Sequence, residues 1–354
     1  NGMLARFGGD EFIYVANNIT DEIQCEKIAK TLTECFKKSF ELSTESVHIT
    51  SSIGISIFPR DGDGIDDLLK HADAAMYQAK AEGRNRYHFF TKTLSQRLRQ
   101  QRSIAARLRE SLKKDEFELL FQPQIDVKTG KFISCEALIR WRPLDEESAV
   151  PPNIFIPIAE RSELIADMGR WVLEKTCQQS KNWKQKGIEV RIDINVSGKE
   201  LEKSSFFERL TACRSHYGLS PEYIGLELTE NVLIKSDNVI LENLRAQRDL
   251  GVEISIDDFG TGYSSLSYLK QFPVSHLKID RSFLKGAPEN AYDSALMEAI
   301  VNVGHKLDLK IVVEGVETQS QSDYCKSLNV EFIQGFLYSK PISAEAIEAL
   351  LEKQ

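Results

Sequence analysis

Cysteine is sparse in this chain and nowhere paired. The six residues Cys25, Cys35, Cys135, Cys177, Cys213 and Cys325 stand apart, with no C-x-x-C among them. That spacing argues against a zinc site or a disulfide framework and reads as reduced, mostly packed thiols in a cytosolic protein. Long apolar runs are missing too. None approaches the ~18 residues that a bilayer-spanning helix needs, so no membrane contact is expected from this segment. Positive charge is in deficit: the formal net charge is −8 and the pI is near 5.5, which argues against general affinity for DNA, RNA or anionic membranes. A phosphate ligand is then reachable only through a local cation such as a bound metal. No G-x-G-x-x-G turn follows an early strand, which leaves a doubly wound nucleotide-binding sheet unsupported. An initiator methionine is also lacking, and the chain opens at Asn1 inside what reads as a structured element. A fragment of a longer protein is expected, with any upstream membrane anchor or sensor lying outside it.

What is present begins with room for two domains and a large core in 354 residues. Residues 1–90 read as strand, helix, strand, helix. DEFIYVAN and VHITSSIGISIF have strand character, ITDEIQCEKIAKTLTECFKKSF is an amphipathic helix with Asp21 near its start, and DDLLKHADAAMYQAKAEG is a helix stopped at Gly83. Residues 91–114 are basic and helical in composition, with Leu94, Leu98, Ile104, Leu108 and Leu112 spaced to bury one stripe against a neighbouring domain. A solvated connecting helix is the plainest reading. From 115 to 354 the pattern is regular. ELLFQPQ and KFISCEALIRW, joined by the short turn DVKTG, predict an antiparallel strand pair. Strands follow at about 188–195, 224–228, 252–257, 276–279, 309–313 and 331–335. Helices lie between them, the first at about 157–186, a short one after the glycine-rich loop and the last at 343–353. An α/β, TIM-like (β/α)8 barrel with an antiparallel first strand pair fits this order best.

Several of these strands carry a carboxylate or amide at or near the C-terminal end: Glu136, Asn195, Glu227, Asp257 with Asp258, and Glu314. The strand HLKID adds Lys278. Polar groups recurring at one end of successive β/α units predict one pole of a barrel. Carboxylates converging within about 5 Å would repel pairwise by ~3 kcal/mol at an effective dielectric near 20. Either several stay protonated or cations sit among them. The donors are all hard oxygen, without His or Cys, which favours Mg²⁺ or Mn²⁺ over Zn²⁺, and two ions suit this many ligands. Such a pair clamps a phosphoester and makes bound water acidic, so a metal-dependent hydrolytic site is expected. Asp257 and Asp258 are neighbours that can both reach the pole only if the strand ends there, and FGTG is expected to end it. Lys278 is placed to orient or help deprotonate the attacking water.

The motifs EALIRW, DINVS, ELTEN, IDDFGTGYSSLSYL, LKID, VEGVET and QGFLYSKP, in order over about 115–354, resemble an EAL-type cyclic di-GMP phosphodiesterase domain. RFGGDEF, SSIGIS and ADAAMYQAKAEGRNRY over 1–90 resemble the C-terminal half of a GGDEF diguanylate cyclase domain, a partial α+β domain here, and 91–114 resembles the connector between the two. The resemblance implies hydrolysis of cyclic di-GMP to linear pGpG with two Mg²⁺ or Mn²⁺ ions. It casts Glu136, Asn195, Glu227 and Asp257 as ligands of the first ion, with Asp257 bridging to a second beside Asp258 and Glu314. Lys278 would contact metal-bound water, and Glu317 and Gln334 would be further active-site residues. Arg140 would meet a substrate phosphate. Glu230 would steady the loop 258–266, and a homodimer through the EAL domain is implied. Gly8, Gly9, Asp10 and Glu11, with Lys80 and Arg84, resemble remnants of a cyclase site. GTP binding is implied only for an intact GGDEF domain, and no cyclase activity is expected from this fragment. A non-catalytic cyclic di-GMP receptor signalling through a partner is the alternative, as is a bifunctional enzyme in the full-length protein. Hydrolases built on an HD and GYP motif pair are excluded, because the six histidines form no such cluster.

Overall fold

The computed structural model describes residues 2–37, 39–41, 46–144, 148–203, 205–230, 232, 237–260, 269 and 271–352. The chain divides into two compact units, Asn1–Ser103 and Ile104–Gln354.

In the first unit, β1 (Gly2–Gly8) and β2 (Glu11–Ala16) form an antiparallel hairpin. The segment ahead of DEFIYVAN is thus a strand of its own. Gly9, at φ +52°, occupies the turn in a conformation that favours glycine, and the Arg6 side chain donates to its carbonyl at 2.7 Å. The helix Glu22–Cys35 starts where the Asp21 carboxylate accepts from the Gln24 N–H at 2.9 Å. The alternating run VHITSSIGISIF does not form one strand. It contributes to β4 (Ser46–Val47), paired with β3 (Phe40–Glu41), and to β5 (Ile53–Ile55), paired in parallel with β6 (Tyr87–Phe89). The helix Ile65–Ala81 covers β5 and leaves by Gly83 at φ +110°.

The second unit is a closed eight-stranded barrel. Its strands are β7 (Phe117–Asp126), β8 (Phe132–Trp141), β9 (Arg191–Val196), β10 (Ile224–Thr229), β11 (Ile254–Phe259), β12 (His276–Ile279), β13 (Lys310–Val313) and β14 (Phe332–Ile333). β8 to β14 run parallel to one another, while β7 is antiparallel to both its neighbours, β8 and β14. The irregular start expected from the short DVKTG turn is therefore present. Outward-facing residues such as Ile192, Leu226, Ile256, Leu277 and Ile311 are fully buried beneath the surrounding helices and make the main apolar core.

One long helix was expected at 157–186, but there are two, Pro152–Arg161 and Ile165–Gln185, broken where Glu163 takes a left-handed φ of +62°. The connecting helix runs Lys92–Ser111. Its C-terminal half belongs to the barrel unit, where Ile104 and Leu108 pack with Phe117, Trp141 and Phe155. The short helix expected after the glycine-rich loop lies outside the described residues. Among the described residues no helix is long and apolar enough to cross a membrane.

Candidate active site

Strand alternation turns residues i and i+2 to one face, and the barrel interior follows that rule. Glu136, Asn195, Glu227, Asp257, Lys278 and Gln334 project from six different strands or strand ends toward one pole. Glu136 is not at the end of its strand. β8 pairs with β9 only up to Ala137 and then continues beside β7 to Trp141, so the carboxylate sits at the barrel mouth while the β7–β8 ribbon reaches past it. At Asp257–Asp258 the strand does not end but bulges. The β11–β12 register shifts between Ile256 and Phe259, and Asp258 takes φ +54°. Oxygen atoms of Asp257, Asp258 and Glu314 consequently lie within 4.8 Å of one another.

Lys278 is the fully buried centre of this arrangement. Its Nζ lies 2.6 Å from Glu227 Oε2, 2.7 Å from Glu314 Oε1, 3.4 Å from Asp257 Oδ1 and 3.5 Å from Glu136 Oε2. Burial alone would lower its pKa, but Asp257, Glu136, Glu227 and Glu314 together hold the ammonium well above its usual range. Burial likewise opposes ionisation of Glu136, yet Lys278 and hydrogen bonds from Gln334 and Asn195, both 2.7 Å long, keep its carboxyl below the ordinary value. For Glu227, Glu314 and Asp258, burial outweighs the favourable contacts. Burial, with Glu136 and Asp257 nearby, pushes Glu227 well up despite Lys278. Burial raises Glu314 to about 8, and burial with Asp257 and Asp280 raises Asp258. Three of the five carboxyl groups are thus pushed toward their protonated forms, and a divalent cation would take the place of those protons.

That donor set fits divalent, oxygen-preferring cations. Glu136, Asn195, Glu227 and Asp257 could hold one ion, with the Asn195 Oδ1 left open because Nδ2 is engaged by Glu136. Asp257, Asp258 and Glu314 could hold another.

The other expected residues are less tightly drawn in. Gln334 is buried and donates to both Glu136 and Gln122. The half-buried Arg140 donates only to the carbonyl of Ile139, at 3.0 Å, among the described residues. Glu317 is exposed past the end of β13, and its side chain makes no hydrogen bond to a described residue. Glu230 is buried and accepts from the Gly260 N–H at 3.2 Å, at the start of the loop; residues 261–266 of that loop lie outside the described residues. In the first unit, Gly8, Gly9, Asp10 and Glu11 are all exposed on the β1–β2 hairpin. Lys80 and Arg84 are exposed as well, with no ion pair to that hairpin among the described residues.

Sequence reasoning missed a second interior layer two residues behind the first. Ser134, Asp193 and His276 stand at i−2 from Glu136, Asn195 and Lys278, Gln124 faces Ser134 from β7, and Gln122 lies level with Glu136. All five are buried. Period-two spacing from the residues already singled out was the available signal.

Residues 105–341 match the EAL domain family. The chain belongs to it. Residues 1–86 match the diguanylate cyclase GGDEF domain, so GGDEF and EAL regions follow one another. The chain is 37% identical over 98% of its length to the bifunctional diguanylate cyclase/cyclic di-GMP phosphodiesterase MucR of Pseudomonas aeruginosa, spanning 50% of that protein. It is 35% identical over 99% of its length to the cyclic di-GMP phosphodiesterase NbdA of the same organism, spanning 44% of it. The chain thus spans about half the length of these relatives or less. The solved PaMucR phosphodiesterase in complex with c-di-GMP superposes with a TM-score of 0.66 at 36% identity, covering 69% of this chain and 99% of that one. EAL domains are in general metal-dependent, and the acidic pole of this barrel is the place where such ions would be held.

Proposed function

We propose that this EAL domain is an active, metal-dependent phosphodiesterase that hydrolyses one phosphodiester of cyclic di-GMP to give linear pGpG. The observation that carries the reading is the pole itself: four carboxyl groups within 3.5 Å of Lys278 Nζ, with oxygens of Asp257, Asp258 and Glu314 within 4.8 Å of one another, more carboxyl groups than one ammonium can hold ionised without a further cation. Its phosphodiesterase relatives support the substrate. Two Mg²⁺ or Mn²⁺ ions bound there would supply Lewis-acid activation of water and of the phosphodiester. Glu136, Asn195, Glu227 and Asp257 would hold the first, and Asp257, Asp258 and Glu314 the second. Lys278, fixed as a cation by its carboxylate neighbours, orients the attacking water and stabilises negative charge on the phosphorane-like transition state. Water adds to phosphorus as it gives up a proton, the P–O3′ bond breaks, and the leaving 3′ oxygen takes up a proton, so that one water is divided between the new phosphate and the 3′-hydroxyl. Arg140, at the ribbon end beyond Glu136, is free to meet a substrate phosphate. Gln334 holds Glu136 in place, Glu317 stands by at the rim, and Glu230 ties down the loop that carries Asp258. The domain limits are 1–90, 91–114 and 115–354, with a homodimer through the EAL domain. The Gly8–Glu11 hairpin, Lys80 and Arg84 belong to the region that matches the GGDEF family.

The test is nucleotide chromatography after incubation of the chain with cyclic di-GMP and Mg²⁺, Mn²⁺ or EDTA. Conversion to pGpG that EDTA abolishes is expected. Ligand retained without conversion would replace the hydrolase with a receptor.

A further inference from the structure

Beneath the acidic pole runs a chain of buried hydrogen bonds that ends on Glu227. It begins with Arg191, whose Nε and one terminal nitrogen fork onto Asp193 at 2.6 and 3.1 Å. This pair fits inside the barrel only because Gly225 faces it. A Cβ there would lie 1.9 Å from Asp193 Oδ1 and 3.3 Å from Arg191 Nε. The Arg191 guanidinium also donates to Ser134 Oγ at 3.4 Å. A hydroxyl that accepts from a guanidinium has its own proton left to give, and Ser134 gives it to Gln124 Oε1 at 2.8 Å. With its oxygen thus occupied, Gln124 must turn its amide nitrogen the other way, where Nε2 donates to Glu227 Oε1 at 3.4 Å. The reversed amide would set oxygen against carboxylate. Lys278 holds the second Glu227 oxygen at 2.6 Å. Ser134, Gln124, Asp193 and Glu227 are each about 1% exposed, so water does not compete for these bonds.

We propose that Gln124 is a positioning residue for Glu227, oriented by Ser134 and the Arg191–Asp193 pair, and that this chain sets cation affinity at the pole. The proposal rests on the reading of the pole as a metal site. Clamped at both oxygens, the Glu227 carboxylate presents its remaining lone pairs to the barrel mouth in one orientation. Without Gln124 it is held at one oxygen only and turns about its terminal torsion. Partners of this kind, one bond behind a metal ligand, are worth about 10–100-fold in metal affinity.

The experiment is a Mn²⁺ titration of the full chain by calorimetry, with wild type, Gln124→Met, Ser134→Ala, Ser134→Thr and the Gln124→Met/Ser134→Ala double variant. Cyclic di-GMP turnover is followed in parallel at limiting and saturating Mn²⁺. Gln124→Met is expected to weaken Mn²⁺ binding about tenfold. Ser134→Ala should weaken it less, Ser134→Thr should stay close to wild type, and the double variant should be no worse than Gln124→Met alone. Turnover should drop at limiting Mn²⁺ and return to within about twofold of wild type at saturation, the split expected of a displaced ligand. Unchanged Mn²⁺ affinity in Gln124→Met, or additive losses in the double variant, overturns the proposal. If Gln124→Met fails to fold, Ser134→Ala decides: an affinity equal to wild type overturns it. A wild-type chain that binds Mn²⁺ and turns over no cyclic di-GMP would instead sink the hydrolase reading, while the affinity series still decides the role of Gln124.

Discussion

At the scale of single residues, Lys278 does for the folded chain what no other described side chain at the pole can. It places one fully buried positive charge among Glu136, Glu227, Asp257 and Glu314. Removing one partner of a buried ionic cluster leaves charges uncompensated and costs about 3–5 kcal/mol. Lys278→Met should therefore lower the stability of the metal-free chain by that order in urea titrations with EDTA. Mg²⁺ should recover part of the loss, and cyclic di-GMP hydrolysis should be gone. Equal stability of the two proteins in EDTA would refute the role of Lys278 as counter-ion. Two titrating groups set opposite limbs of the stability curve without metal. Glu314, raised from 4.5 to about 8, binds a proton in the native state that the unfolded chain releases, so its contribution is lost as pH rises through that window. His276, lowered from 6.5 to about 3, first by burial and then by Arg191, is neutral when folded, so its contribution is lost as pH falls through that range. Thermal melts in EDTA across pH should show both limbs. Glu314→Gln should flatten the alkaline one, and an unchanged alkaline slope would contradict the assignment.

Whole elements are placed by a few close fits. The stretch after Asn195 is held by a capping box in which the Glu200 carboxylate accepts from the Ser197 N–H at 3.1 Å and hydroxyl at 2.8 Å. Glu200 is buried against the helix Ile165–Gln185 at Gly169, where a Cβ would lie 1.6 Å from Glu200 Oε1. Gly169→Ala should destabilise the barrel by roughly 1–3 kcal/mol through overpacking, and much less when combined with Glu200→Ala. A denaturation double-mutant cycle checks this, and additive losses would disprove the contact as the cause. On the other side of the pole, Glu230 reaches the bulged β11 through the Gly260 N–H. Glu230→Ala should lower turnover at limiting Mg²⁺ by about tenfold while leaving the barrel's melting temperature nearly unchanged. Full turnover at limiting Mg²⁺ would remove Glu230 from the loop's support.

For the molecule as a whole, two compact units predict two unfolding events. All three tryptophans, Trp141, Trp171 and Trp183, lie in the barrel unit. Tryptophan fluorescence therefore reports that unit alone, whereas far-ultraviolet circular dichroism reports both. Mg²⁺ should shift the fluorescence transition upward and leave a second transition, seen only by dichroism, where it was. A single transition common to both probes and moved as a whole by Mg²⁺ would mean that the units unfold together.

The order of strands from 115 onward, the antiparallel opening pair, and the acidic residues at the pole were all legible in the sequence. They depend on local periodicity and on residue chemistry recurring once per β/α unit, both of which survive in one dimension. Even 276–279, a strand of four residues, could be read because its neighbours set the rhythm. What tertiary structure alone decided were matters of register and closure. The bulge at Asp258 turns two adjacent carboxylates to one side, and β8 runs on past Glu136 because β7 accompanies it. VHITSSIGISIF breaks into pieces because only part of it finds a partner strand. The buried layer of Gln124, Ser134, Arg191 and Asp193 emerged last, since a polar residue in a strand shows its partner only once the barrel has closed around it. Closure brings together side chains far apart in the chain, and the cost of burying each unpaired fixes which of them must meet.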